Sequence, residues 1–94
     1  MPKHRTPLEA AAGQLVLAIQ KEWNAEIGEP TAARSEEVMD LSQTLLQAAT
    51  TGSLANALAS KSVSTFLGEQ WVREHPAVLP YVEALETLGR VNDL

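Results

Sequence analysis

Residues 6–28 read TPLEAAAGQLVLAIQKEWNAEIG, and this stretch decides the fold. Apolar side chains recur in it every three or four positions, which is the period of one face of an α-helix. About twenty residues at roughly 1.5 Å each give a rod of about 30 Å, close to the diameter of a compact chain of this length. We therefore expect the other helices to pack against this one. Its apolar stripe consists of Leu8, Ala11, Ala12, Leu15, Val16, Ile19, Trp23 and Ile27.

Both ends of this helix are marked in the sequence. Thr6 and Glu9 have the spacing of a capping box, and Pro7 suits the first helical position because its missing N–H would have no intrahelical partner. Gly28 suits the left-handed position that follows a helix C-terminus. These residues predict a helix from about Pro7 to Ile27.

A second helix is predicted after the break at Gly28. Ser35 suits its N-cap, because three acidic residues follow in the first turns, where the helix dipole favours negative charge. Gly52 ends the helix. The connection is short, so the second helix should run antiparallel to the first as a helical hairpin.

The C-terminal half is predicted to contain shorter helices. They cover residues 54–58, about 63–75 before Pro76, and a last segment from Pro80 to Gly89. No segment alternates with period two over a useful length, so no sheet is expected. The prediction is an all-α fold: a single small bundle of four to five helices over residues 1–94, with residues 1–5 as a flexible arm and 91–94 as a loose tail.

Composition excludes several classes of site. The chain has no cysteine, which rules out disulfides, thiolate metal sites and a cysteine nucleophile. No apolar run approaches the ~20 residues of a membrane span, and the first residues do not form a signal peptide, so we expect a cytoplasmic protein with no membrane partner. The formal charge of −5 does not favour the phosphate backbone of nucleic acids.

No catalytic, metal or cofactor site is predicted. His4 lies in the N-terminal arm, and His75 lies at a helix end, where its protonated ring can interact with the helix dipole and with free carbonyl groups. Glu22 and Glu26 fall on a polar helix face, whereas general acid–base catalysis needs a partly desolvated carboxyl group. We therefore expect a protein that is not an enzyme.

Residues 54–67 resemble the helix-turn-helix of DNA-binding regulators, with a short Leu-Ala helix, a turn of small residues and a Ser/Thr-rich helix start. The stretch departs from that pattern, because Ala59 or Ser60 stands where a turn glycine is usual. Only Lys61 and a few hydroxyl groups suit contact with DNA, and the following helix carries two glutamates. Ordinary helix packing is favoured, and a DNA-binding regulator is the alternative.

The predicted function is a non-enzymatic protein–protein interaction module, such as a small acidic adaptor, antitoxin-like or inhibitor protein with an unidentified partner. Surplus apolar side chains also suggest self-association as a homodimer.

A second alternative is a small-molecule-binding bundle with a pocket near Trp71 and Tyr81. Trp23 and Trp71 both fall on apolar stripes, where core packing is the commoner outcome. The candidate interaction surface consists of Glu36, Glu37, Met39, Asp40, Leu46, Trp71 and Tyr81.

Overall fold

A computed structural model describes residues 7–59 and 61–92 of the chain. This part contains six α-helices, a 3₁₀ turn and no strand, which confirms the predicted all-α fold. The helices are α1 Pro7–Glu26, α2 Ala32–Thr51, α3 Leu54–Leu58, α4 Val63–Leu67, α5 Glu69–Glu74 and α6 Leu79–Asn92, and the 3₁₀ turn Pro76–Val78 precedes α6. Thr6 of the predicted capping box and the predicted arm at residues 1–5 lie outside the described residues.

The predicted antiparallel hairpin of α1 and α2 is confirmed, and it organises the core. Leu15 and Ile19 of α1 and Leu45 of α2 have no exposed surface. Burying a side chain of this size contributes about 1.5–3 kcal/mol. Gly28 adopts the predicted left-handed conformation, with a φ of 95°. The predicted place of Ile27 on the apolar stripe was wrong: α1 ends at Glu26, and Ile27 is 65% exposed.

The start of α2 differs from the prediction. The helix begins at Ala32, and Ser35 lies within it as a fully buried residue instead of capping it. Thr31 occupies the position before the helix, and its side chain makes no capping hydrogen bond. A serine ahead of acidic residues suits an N-cap, but it also suits a buried helical position when other helices supply partners for its hydroxyl group. The C-terminal end is as predicted, with Gly52 at a φ of 75° donating its N–H to the Ala48 carbonyl.

Gly68 divides the predicted fourth helix into α4 and α5. Its φ of 113° and ψ of 105° lie outside the helical region. The helix α4 begins after Ser62, whose hydroxyl accepts from the Thr65 N–H, and the first N–H of α4, at Val63, donates to Glu86 of α6. The predicted stop before Pro76 is confirmed, since α5 ends at Glu74.

The last helix continues further than the sequence predicts. Pro80 lies in its first turn, as expected, but α6 runs to Asn92. The predicted end at Gly89 was therefore wrong, and so was the loose tail at residues 91 and 92; residues 93 and 94 lie outside the described residues. A glycine within a helix costs only about 1 kcal/mol, which the rest of a helix can offset.

The segments after α3 cover the hairpin and complete the core. Within them, α6 makes most of the contact with α1. The side chains that they bury are Val63, Leu67, Trp71, Val72, Val78, Val82 and Leu85. This packing brings the last described helix alongside the first.

Gly68→Ala is expected to destabilise the fold by about 2 kcal/mol, because L-residues rarely adopt its backbone conformation. The new Cβ would also lie 3.3 Å from Nη2 of Arg34. Gly52→Ala is the matched control: its φ of 75° lies in the left-handed helical region, and among the described residues nothing beyond its own chain neighbours comes within 4 Å of the new Cβ. The control should cost about 1 kcal/mol. Urea unfolding of both variants measures the difference, and equal losses would contradict this account.

Candidate functional site

The ends of α1 and α5 and the start of α2 meet at a hydrogen-bonded cluster of four side chains. Glu26 is the last residue of α1, Ser35 lies in the first turn of α2, Trp71 lies in α5, and His75 directly follows α5. Trp71 and His75 are four residues apart, so their side chains lie on one side of the helix. We call Glu26, Ser35, Trp71 and His75 the clasp.

The polar side-chain atoms of the clasp are paired with one another or with the backbone. The Ser35 hydroxyl donates to Oε1 of Glu26 and accepts from Nε1–H of Trp71 at 3.0 Å. His75 places Nε2 2.9 Å from Oε2 of Glu26 and Nδ1 2.7 Å from the Trp71 carbonyl oxygen. The imidazole also stacks on the indole, with 4.0 Å between ring centroids and 17° between the planes. The clasp therefore connects three helices.

This arrangement favours the form of His75 that is protonated at both ring nitrogens. A carbonyl oxygen and a carboxylate both accept, so each nitrogen must donate. Burial acts to lower the pKa of His75, but the hydrogen bonds to Glu26 and to the Trp71 carbonyl, with the charges of Glu26 and Glu22, outweigh burial and raise this pKa above 6.5. The hydrogen bond from Ser35, followed by that from His75, lowers the pKa of Glu26 below 4.5.

We expect the free energy of unfolding to be greatest between about pH 4.5 and about pH 6.5. The raised pKa of His75 stabilises the fold fully below its unfolded value of 6.5, and this contribution is lost as pH rises through the folded pKa. The lowered pKa of Glu26 stabilises the fold above 4.5, and that contribution is lost as pH falls through the folded pKa. Urea unfolding from about pH 3 to about pH 9 measures the profile. Glu26→Gln should flatten both sides of it, and an unchanged profile in that variant would refute the assignment.

The clasp has the composition of a serine–histidine–acid triad but not its connectivity. In such a triad, histidine accepts the serine proton and the hydroxyl reaches the substrate. Here Ser35 donates to Glu26, and both nitrogens of His75 are engaged by other groups. Ser35 also has no exposed surface. The geometry is that of a structural connection between helices, and it does not make Ser35 a nucleophile.

The residues of the predicted interaction surface differ in burial, and only some of them are exposed. Trp71 is 2% exposed and Met39 is 7% exposed, so their assignment to that surface was wrong, and both belong to the core. Leu46 is half-buried and packs against the core. Core packing is confirmed for Trp71, whereas Trp23 is only half-buried. The other predicted residues are exposed: Glu36, Glu37 and Asp40 on α2, and Tyr81 on α6.

Sequence reasoning placed His75 correctly at a helix end but missed the clasp. The expected interaction of His75 with a free carbonyl is present, through the Trp71 oxygen. Glu26 was placed on a polar face, yet its side chain is only 18% exposed and contacts a histidine 49 positions away. The four-residue spacing of Trp71 and His75 could have indicated a stacked pair. No local pattern indicated their partners on α1 and α2.

An open groove of about 500 Å³ lies between α1 and the segment formed by the 3₁₀ turn and α6. We call it the α1–α6 groove. Leu17 and Ala18 from α1 line it together with Ala77 and Tyr81 from the other segment. Leu17 is 57% exposed and Tyr81 is 38% exposed. The polar lining residues are Gln14, Gln20, Lys21, Glu22 and Asn24.

The pocket that the sequence suggested near Trp71 and Tyr81 is not one cavity. Tyr81 lines the α1–α6 groove, whereas Trp71 lines a separate hollow of about 130 Å³. The other residues of that hollow are Arg34, Gln70 and Glu74. Neither of these two hollows places both aromatic side chains around one ligand.

The segment that resembles a helix-turn-helix forms α3 and α4. Each of these helices has five residues, and Lys61 is exposed between them. Five residues make fewer than two helical turns, so α4 can present few side chains to the base edges of a DNA major groove. This geometry gives no support to DNA reading by α4.

Within residues 7–59 and 61–92, no group of three or more histidine, aspartate or glutamate side chains is placed to hold a metal ion. Over the same residues, no helix has both the length and the apolar character needed to cross a membrane. Comparisons with protein-family models, with curated proteins and with solved structures each found no match.

Proposed function

We propose that this chain is a small, acidic, non-enzymatic protein–protein interaction module of the cytoplasm, and that it binds its partner through the α1–α6 groove. The observation that carries the proposal is the exposure of Leu17 and Tyr81 in one groove. Covering such side chains removes apolar surface from water, and tyrosine is enriched among the residues that dominate binding energy.

The lining of the groove suits an apolar side chain carried by a protein partner. Ala18 and Ala77 are small and leave space beside Leu17 and Tyr81. Polar side chains surround these apolar groups, which is the usual arrangement of a protein interface. Small-molecule sites instead bury most of the ligand surface, and this groove is open on one side.

The charge of the chain favours a partner with a basic surface. The formal net charge is −5, and Glu36, Glu37 and Asp40 are exposed on α2. Complementary charge accelerates association and excludes partners of the same sign, even where it adds little affinity. The acidic residues therefore act in this proposal by steering the partner, and the groove supplies the contact.

Leu17→Gln is expected to weaken partner binding by about tenfold or more, because it replaces an exposed apolar contact with a polar side chain of similar size. The tagged full chain captures the partner, and calorimetric titration of the purified partner measures affinity. Ile27→Gln is the matched control, since Ile27 is 65% exposed but does not line the groove. Equal affinities for the two variants would exclude the groove as the binding site.

A second copy of this chain is one protein that could fill the groove. Sedimentation equilibrium of the wild-type chain tests this possibility directly. A dimer that Leu17→Gln dissociates and Ile27→Gln does not would identify the chain as its own partner, in line with the homodimer hypothesis from the sequence.

A further inference from the structure

The clasp lies at one end of the α1–α6 groove. Asn24 lines the α1 wall two residues before Glu26, and Ala77 lines the opposite wall two residues after His75. The contact between Glu26 and His75 therefore joins the two walls beside this end. We infer that the clasp is a proton-operated latch, which holds the walls together while His75 carries both ring protons and lets them separate when His75 loses one.

Loss of one proton leaves His75 with two acceptors and only one N–H group. The Trp71 carbonyl lies one helical turn away on the same segment, so the bond from Nδ1–H can persist without any movement of helices. Nε2 then presents a lone pair to the Glu26 carboxylate at a distance of 2.9 Å. Two facing acceptors repel each other and lose the stabilisation of a charge-assisted hydrogen bond. In the latch that we infer, the remaining proton stays on Nδ1, because the other tautomer would leave the Nδ1 lone pair facing the Trp71 carbonyl at 2.7 Å within one turn of the chain. The contact that fails is then the one between the walls.

The charged groups around His75 favour the closed latch at low pH. From α1, the carboxylates of Glu26 and Glu22 both act on the imidazole and help to raise its pKa. From α2, Ser35 is uncharged, and Arg34 lines the hollow beside Trp71 together with Glu74 of α5. Both α1 carboxylates attract the imidazolium. Deprotonation of His75 therefore removes this electrostatic attraction between α1 and the segment that follows α5.

The movement is confined to one end of the groove. Further from the clasp, Leu15 and Ile19 of α1 and Val82 and Leu85 of α6 are fully buried in the core. Apolar burial does not depend on the charge of His75, so this packing holds the other end together whether His75 is protonated or neutral. The latch therefore changes the width at Asn24 and Ala77 and leaves the helices packed.

A nitroxide spin label on Asn24→Cys tests the latch in the chain alone. The chain has no other cysteine, so the label attaches at one site. We expect the paramagnetic relaxation enhancement of the Ala77 amide to fall by about twofold or more between about pH 5.5 and about pH 8.5, as the open state becomes populated. A second label on Gln14→Cys, further from the clasp along α1, reports on the other end, and its effect on the amide of Glu83, within α6, should not change.

Glu26→Gln in the labelled chain is the key control. The glutamine amide can accept from Nε2–H of protonated His75 through its oxygen, or donate to neutral Nε2 through its NH₂, so the contact persists at either pH. His75→Gln is a second variant, because its NH₂ still donates to Glu26 and cannot titrate. In both variants, the relaxation at Ala77 should be the same at the two pH values. A pH-dependent change of wild-type size in either variant would overturn the inference.

Two results in the wild-type chain would also overturn it. One is an unchanged relaxation at Ala77 while the imidazole proton shifts show that His75 has titrated. The other is titration of His75 at or below its ordinary pKa of about 6.5. Neither result depends on a partner.

The consequence for binding rests on the proposed function. If the groove holds the partner, affinity should differ by about threefold or more between the two pH values in the wild-type chain and not in Glu26→Gln. A pH-dependent relaxation at Ala77 with a pH-independent affinity would retain the latch and reject the groove as the partner site. If neither the relaxation at Ala77 nor the affinity changed with pH, the latch alone would be rejected, provided that Leu17→Gln still weakens binding.

Discussion

Trp71→Ala is expected to lower the free energy of unfolding by about 3–5 kcal/mol, the range for removing a large aromatic side chain from a core. The indole is 2% exposed, so its removal leaves a cavity between α5 and the hairpin. The substitution also removes the donor to Ser35 and the ring on which His75 stacks. Urea unfolding followed by circular dichroism measures the change, with the slope of the transition as a check on two-state behaviour.

Two other variants separate the contributions of Trp71. Trp71→Phe keeps most of the apolar ring but removes Nε1–H, and it should cost about 1–2 kcal/mol because Ser35 loses its donor. Trp23→Ala is the control for residue type, and we expect less than half the loss at Trp71 because Trp23 is only half-buried. A loss at Trp23 as large as that at Trp71 would mean that Trp71 is not the more deeply packed of the two indoles.

Glu26→Ala is expected to cost about 2–4 kcal/mol at about pH 6, because Ser35 and His75 both lose their acceptor. A hydrogen bond to a charged group contributes more than one between neutral groups, and His75 would be left as a half-buried cation without its counter-charge. The measurement is again urea unfolding. The variant should also bring the pKa of His75, followed by its imidazole proton shifts, back toward the ordinary range.

Matched variants identify the cause of that loss. Glu26→Gln should recover most of the stability, because its amide group can still pair with Ser35 and His75. Glu37→Gln removes the same charge from an exposed position on α2 and should change stability by less than about 0.5 kcal/mol. If Glu37→Gln were as damaging as Glu26→Ala, general charge effects and not the clasp would explain the result.

The parts of the fold that sequence reasoning predicted correctly depend on local properties. The apolar stripe of α1 follows from a period of three to four residues, and Leu15 and Ile19 are buried as that period requires. Gly28 and Gly52 mark helix ends because glycine adopts a positive φ at little cost. Such features belong to a few neighbouring residues, so one sequence is enough to detect them.

Most of the incorrect predictions concern residues whose structure depends on partners far away in the sequence. Ser35 has the sequence context of an N-cap, but Glu26 and Trp71 provide partners that make it a buried residue of α2. Glu26 looks like a member of a polar face until α5 brings His75 against it. Gly68 breaks a continuous helical pattern, which a glycine inside a helix does not always do. The clasp was missed for the same reason, because its four members come from three separate parts of the chain.

The order in which the helices meet has a consequence for the growing chain. α1 packs against α2, which follows it after a short turn, and we expect these local contacts to form before those between distant parts of the chain. The packing of α1 against α6 joins the first and last described helices. This packing cannot form until the intervening residues have been synthesised. A ribosome-bound fragment that ends before the 3₁₀ turn would contain the hairpin but only one wall of the groove. A partner that recognises both walls would therefore distinguish finished molecules from incomplete ones.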